Sequence, residues 1–227
     1  MRVIVFGGSG MIGQGVVREC LRDATVERVL VVGRTPIGVA NDKLEELVHG
    51  DLYDLSPVAA RLAGFDACFF CLGVSSAGMN EADYTRVTYA LTLAVAERLA
   101  KLNPQMTFIY VSGAGTDSTE RGRSMWARVK GKTENALMRL PFRASFMFRP
   151  GYVQPLDGIT SKTRMYRVIY AVVGWMFPVW RALFPSLVTT TEEVGRAMIA
   201  MAKRGGPSAI VENREISATG RRSLDRR

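Results

Sequence analysis

The stretch Arg2-Val3-Ile4-Val5-Phe6-Gly7-Gly8-Ser9-Gly10-Met11-Ile12-Gly13, continued by Gln14-Gly15-Val16-Val17-Arg18-Glu19-Cys20-Leu21, decides the fold. Arg2–Phe6 is a short, mostly β-branched run that reads as a buried strand. From Met11 to Leu21 the apolar positions recur at helical spacing, so a helix follows. Between the two lies a glycine-rich turn, through which strand and helix can come close together.

The spacing Gly7-x-x-Gly10-x-x-Gly13 in a strand–turn–helix setting carries a chemical expectation. A tight turn, close backbone approach to a pyrophosphate and close helix–strand packing each demand a missing side chain. The phosphates then rest on free N–H groups at the positive end of the helix. Gly7, Ser9, Gly10, Met11, Ile12 and Gly13 are the expected contacts. The second strand, Val29–Val32, ends in Gly33-Arg34. Sites for NAD usually place Asp or Glu here, on the ribose 2′-hydroxyl, whereas a guanidinium suits a 2′-phosphate. The expected cofactor is therefore NADP, with NAD the alternative. Asp51-Leu52, after Leu44–His49, which reads as a weaker third strand or a helix leading into one, is placed either to reach the adenine or simply to close the turn before Tyr53-Asp54. Cys71-Leu72-Gly73 ends the fourth strand, where the backbone would pass the cofactor's ribose.

Outward from this stretch, strands and helices alternate. Leu55–Leu62 reads as a helix, Ala67–Leu72 as a strand, and Asn80 as the cap of a long helix stopped by Asn103-Pro104. Met106–Ser112 and Ser145–Arg149 are further strands, separated by a basic helix over Arg123–Leu140 that Pro141 ends. Thr190-x-x-Glu193 is a capping box that opens a helix to about Lys203, and Ala209–Val211 is a last short strand. Continuous apolar strands alternating with helices predict an α/β fold, a doubly wound parallel sheet of Rossmann type with a small C-terminal substrate or interface segment. The expected organisation is a dinucleotide-binding core over 1–150, an apolar, basic-flanked segment over 151–190, a returning helix and strand over 191–212, and a frayed tail over 213–227.

Composition narrows the function classes. The chain has 227 residues, 48% hydrophobic and 22% charged, which are ordinary globular values. Its net charge of +9 is concentrated in Ser118–Thr191, where twelve basic side chains face three acidic ones. Three cysteines, Cys20, Cys68 and Cys71, fit a reducing cytosol better than a disulfide scaffold. The apolar run at Val3–Phe6 is too short for a signal peptide. Cys68-x-x-Cys71 lies in a strand, where residues three apart point to opposite faces, so no metal site is expected. His49 is the only histidine and ends a strand, which argues against a Ser-His-Asp hydrolase. The basic helix lacks interleaved stacking aromatics and any recognised reader motif, so nucleic-acid binding is not expected.

Together these residues resemble the extended and atypical members of the short-chain dehydrogenase/reductase superfamily, the NAD-dependent epimerase/dehydratase-like and NmrA-like proteins. The resemblance runs over about Met1–Lys203. It rests on the Gly7/Gly10/Gly13 spacing, Arg34, Asp51-Leu52, Cys71-Leu72-Gly73, Tyr110-Val111-Ser112, Lys130-Gly131 and Arg149-Pro150-Gly151. It implies catalysis by Ser, Tyr and Lys. The Tyr and Lys lie four residues apart on one helix, Tyr passes the proton while Lys holds the ribose, and Ser orients the carbonyl. Ser112 matches the serine and Lys130 the lysine. Four residues before Lys130 stands Trp126, and no tyrosine of the chain has a lysine four residues on. An indole N–H donates a hydrogen bond but exchanges no proton at neutral pH.

Three readings follow. The chain binds cofactor without turning it over; or another acid serves, with Tyr152, Asp117 or Ser118 as candidates; or Trp126 shapes the pocket for a reaction that needs no such proton. The expected function is an NADP(H)-dependent oxidoreductase or epimerase/dehydratase-type enzyme acting on a hydrophobic substrate near Ser112. The alternative is a non-catalytic, dinucleotide-sensing regulator. The stretch Met165–Val188 is rich in aromatic residues with basic flanks. Its longest charge-free run, Val168–Trp180, is too short to span a bilayer. It suits a lipophilic pocket or lid, a homo-oligomer interface, or an in-plane membrane contact on an otherwise cytoplasmic protein.

Overall fold

The computed structural model of the chain describes residues 1–156 and 187–223. Strands β1 (Arg2–Phe6), β2 (Arg28–Gly33), β3 (Leu44–Val48), β4 (Ala67–Phe70), β5 (Thr107–Val111) and β6 (Ala144–Arg149) follow one another along the chain. After them come β7 (Tyr152–Gln154), β8 (Val188–Thr190) and β9 (Ile210–Glu212). Seven of these form one sheet in the order β3-β2-β1-β4-β5-β6-β9, every pairing parallel. The chain winds outward from β1 in one direction and then, from β4, in the other. The crevice beyond the carboxyl ends of β1 and β4 is therefore the topological switch point, where folds of this kind bind ligands.

Both faces of the sheet are covered, which is why its strands are apolar throughout. Along β1, Val3 and Val5 join one core, while Ile4 and Phe6 join the other. The first core lies under α1 (Met11–Arg22) and the helix Thr191–Arg204. The second lies under α2 (Glu81–Thr85), α3 (Leu91–Leu102) and α4 (Met125–Leu137), with Val95, Leu99 and Leu137 fully buried in it. We label Thr191–Arg204 α5. One π-helical turn, Arg86–Ala90, joins α2 to α3, so the long helix expected from Asn80 is continuous but locally widened. Asn80 caps it by accepting from the Asp83 N–H at 2.9 Å.

Several boundaries move. Ser56–Leu62 is 3₁₀ rather than α-helix, a short piece entered through Pro57. The basic helix is shorter than expected, since α4 covers Met125–Leu137. Thr190 accepts from the Glu193 N–H at 3.1 Å, which is half of a capping box, while the Glu193 carboxylate turns to the Thr189 hydroxyl and Arg221.

The main correction is at the end of the chain. Asn213–Arg222 is not frayed but helical (α6), with Ile216, Ser217 and Gly220 buried. It packs on α5 so closely that a Cβ on Gly220 would lie 2.4 Å from the Glu193 carbonyl oxygen. Asn213 also accepts from the Gly151 N–H at 2.9 Å, and β7 pairs with β8. The returning chain thus closes the base of the excursion that leaves the core after β6. Most of the segment over 165–188 lies outside the described residues. Among the described residues no helix is long and apolar enough to cross a membrane.

Candidate functional site

The strand order brings the carboxyl ends of β3, β2, β1, β4 and β5 side by side, and with them Asp51, Arg34, Gly7, Cys71 and Ser112. From β2 to β5 is three inter-strand spacings, roughly 14 Å. The sequence-predicted positions thus lie in one line along one edge of the sheet.

The turn at the centre of that line is built by close contact. Gly7 has φ +80°, and a Cβ there would lie 2.8 Å from the carbonyl carbon of Cys71. A Cβ on Gly13 would lie 2.1 Å from the Gly7 carbonyl oxygen. The Gly10 N–H donates to the Gly7 carbonyl at 2.9 Å, and the Gln14 amide to the Ser9 carbonyl at 3.1 Å. Among the described residues no side chain caps the N-terminus of α1, and its first turn carries no acidic residue. Its N–H groups and the positive end of its dipole therefore face the switch point uncompensated, as an anion site requires. Met11 and Ile12 are partly buried against the first core, so they present backbone to the site.

On one side of the turn, Arg34 is exposed directly after β2 and pairs with no carboxylate among the described residues. Asp51 accepts from the Tyr53 N–H at 2.8 Å, which closes the turn before Tyr53. Leu52 is buried in the second core, so its side chain is structural. On the other side, the Cys71 N–H donates to the Phe6 carbonyl at 2.9 Å, and burial pushes its thiol up to about 12. Leu72 packs against the second core and Gly73 is exposed. His49 bonds through Nε2 to the Asp54 carbonyl at 2.8 Å, a strand-end role. All three cysteines are free thiols, and the described residues contain no cluster of three potential metal ligands.

Ser112, Trp126 and Lys130 converge at the end of β5. Lys130 Nζ donates to the carbonyls of Ser112 at 3.1 Å and Val111 at 3.4 Å, and lies 5.4 Å from the centre of the Tyr110 ring. Burial lowers its pKa from 10.5 to about 8, against the attraction of Glu134. Trp126, one helical turn earlier on α4, lays its ring beside Gly113 and Gly115. Ser112 is 7% exposed, and its hydroxyl lies 3.0 Å from that of Thr116, which donates to the Gly113 carbonyl at 2.8 Å. The single Thr116 proton is thus used, and Ser112 donates to Thr116 rather than outward. Sequence reasoning missed Thr116, a residue type with no motif of its own.

The candidate substitute acids are occupied elsewhere. Asp117 accepts from the N–H groups of Thr119, Arg121 and Gly122 and from the Thr119 hydroxyl, and these bonds hold its carboxyl down to about 2. It organises its own loop as a permanent anion. Ser118 accepts from Arg149 at 2.6 Å, as part of the buried Arg149–Glu134 ion pair. The Tyr152 hydroxyl donates to Gln154 at 2.8 Å. Tyr110 is fully buried, and desolvation raises its pKa well above the ordinary value.

Residues 3–121 match the NAD dependent epimerase/dehydratase family. Among curated proteins, "Protein FMP52, mitochondrial" of Debaryomyces hansenii is 24% identical over 231 residues, covering 99% of this chain and 97% of its own. Among solved structures, the Bordetella bronchiseptica enzyme WbmF in complex with NAD+ superposes with a TM-score of 0.64 at 17% identity, covering 97% of this chain and 77% of its own. The Helicobacter pylori ADP-L-glycero-D-manno-heptose-6-epimerase gives 0.67 at 16% identity, covering 98% and 82%. The two structures share the fold.

Proposed function

The chain belongs to the NAD dependent epimerase/dehydratase family, and from that premise we propose that it binds NADP(H) along the carboxyl edge of its sheet. The carrying observation is the uncapped, close-packed turn Gly7–Gly13 with an unpaired Arg34 beside it. The turn and the first N–H groups of α1 hold the pyrophosphate, Arg34 the 2′-phosphate, and Lys130 the nicotinamide ribose. The Lys130 ammonium, already donating to two carbonyls, needs little reordering to donate its third N–H to a ribose hydroxyl. A bound nicotinamide supplies hydride transfer. A hydrophobic carbonyl or alcohol placed beside Ser112 is the substrate class that the oxidoreductase reading expects.

A specific observation favours a second reading, a dinucleotide-sensing protein with little turnover. Trp126 stands where the proton donor is needed, Ser112 donates to Thr116, and Asp117, Ser118 and Tyr152 are engaged elsewhere. Both readings share the cofactor site. The free thiols fit a reducing compartment.

The test is the substitution Arg34→Ala. A charged hydrogen bond to phosphate is worth about 1.5–3 kcal/mol, so NADPH affinity falls roughly 10- to 100-fold and NADH affinity barely changes. Equal losses for both cofactors would remove Arg34 from the 2′-phosphate.

A further inference from the structure

A second cavity, of about 410 Å³, lies where α1 and α5 end. Both helices start at the carboxyl edge of the sheet and run back across it, so their C-termini stand at the opposite edge from the cofactor site. The cavity is lined by Arg22, Arg196, Lys203 and Arg204, with Asp23 the one acidic side chain on its wall among the described residues. Ile199 and Ala200, 3% and 4% exposed, form an apolar floor.

Basic side chains in the last turn of a helix commonly compensate its free carbonyls. Here other groups already do so. Lys43 donates to the carbonyls of Leu21 and Asp23 at the end of α1. At the end of α5, Arg143 donates to the Ala202 carbonyl at 2.9 Å and the Gly205 N–H to that of Met201 at 2.9 Å.

Two of the lining cations are partly compensated. Arg22 and Arg196 share the buried Glu19 and the neighbouring Glu192. Asp23 is turned into its own turn, where Oδ1 accepts from the Thr25 N–H and hydroxyl. Lys203 is left with a bond to the Thr25 hydroxyl, and Arg204 has no carboxylate partner among the described residues. Among the described residues, Lys203 and Arg204 therefore bring to the wall positive charge that neither helix capping nor pairing with a carboxylate consumes.

We propose that this cavity is a second anion site, separate from the cofactor site, which takes a phosphoryl group between Lys203 and Arg204. Multiple converging cations match a multiply charged phosphate better than a single carboxylate. The apolar floor accommodates the carbon portion of a phosphorylated small molecule or lipid headgroup.

The experiment is calorimetric titration of the full chain with pyrophosphate at physiological ionic strength, where diffuse surface attraction is screened. The parent is compared with Lys203→Ala/Arg204→Ala and with the single charge reversal Arg204→Glu. A sedimentation arm uses phosphatidylcholine vesicles with and without phosphatidylglycerol. The proposal expects a saturable pyrophosphate event that both cavity variants weaken roughly tenfold or more, whereas pyrophosphate held on the Gly7–Gly13 turn keeps its strength in both. Binding only to phosphatidylglycerol vesicles, lost in the same variants, assigns the phosphoryl group to a lipid headgroup. Pyrophosphate binding unchanged in both cavity variants, or no binding in either arm, overturns it. Circular dichroism confirms that the variants are folded, and Arg204 is exposed enough for its reversal to leave the core intact.

Discussion

At the scale of single residues, Trp126 decides between catalysis and sensing. It occupies the position where the superfamily's mechanism places a tyrosine, on the same helical face as Lys130 and against the Gly113–Gly115 loop. On the proposed reading, an indole there leaves the cofactor cradle intact and supplies no proton relay. Trp126→Tyr should therefore raise NADPH-dependent turnover over a panel of hydrophobic carbonyls by about 10²–10⁴-fold if the parent is a sensor. An active parent that loses turnover in the variant would establish Trp126 as part of a working pocket. Lys130 gives a second test. With a folded pKa of about 8 against 10.5, the unfolded chain holds more protons than the folded one between those values. This side chain therefore makes stability rise as pH increases through that window, and its cost is fully present below it. Urea unfolding at pH 7.5 and 9.5 should show that rise in the parent and a smaller one in Lys130→Met. Identical pH dependence in both would mean that the ammonium is not desolvated. The positions of Trp126 and Lys130 were singled out in the sequence through the resemblance to the family's Tyr-x-x-x-Lys pattern. The engagement of Ser112 by Thr116, and of Asp117 by its own loop, was not, because hydroxyls and carboxylates in loops carry no periodicity.

At the scale of elements, the strand–turn–helix reading of residues 2–21 holds because each local preference agrees with the packing around it. Periodicity places Val16, Val17 and Cys20 on the face of α1 that the sheet covers, and all three are buried. The last helix escaped sequence reading for the opposite reason. Asn213–Arg222 is strongly charged and offers a single large aliphatic side chain, so its composition resembles a solvated tail. What holds it is tertiary: Ile216 is fully buried, Gly220 sits against the Glu193 backbone, and Arg221 pairs with Glu193 at 2.9 Å. Ile216→Ala should lower unfolding free energy by about 2–5 kcal/mol, read from urea denaturation. A loss below about 0.5 kcal/mol would show that α6 contributes little to the folded core. Because Asn213 also fixes Gly151, the same variant should loosen the base of the excursion. Faster amide exchange over β7 and β8 than over β1 would report this.

At the scale of the whole molecule, the parallel sheet, its double winding and the line of residues along its carboxyl edge were all readable from alternating apolar runs and glycine spacing. The buried ion pairs were not. Glu19, Glu134 and Arg149 look like surface charges in the sequence, yet they tie α1 to α5 and α4 to β6 through the interior. The grouping of Lys203 and Arg204 with Arg22 and Arg196 at the far edge likewise resolves only in three dimensions. On the proposed reading, the carboxyl edge binds a dinucleotide bearing a 2′-phosphate. Calorimetric titration of nucleotide-stripped protein with NADPH and with NADH tests this. Saturable one-to-one binding of NADPH, at least tenfold tighter than NADH, is expected. Binding of neither cofactor would contradict it, and a preference for NADH would keep the glycine turn and overturn the role of Arg34.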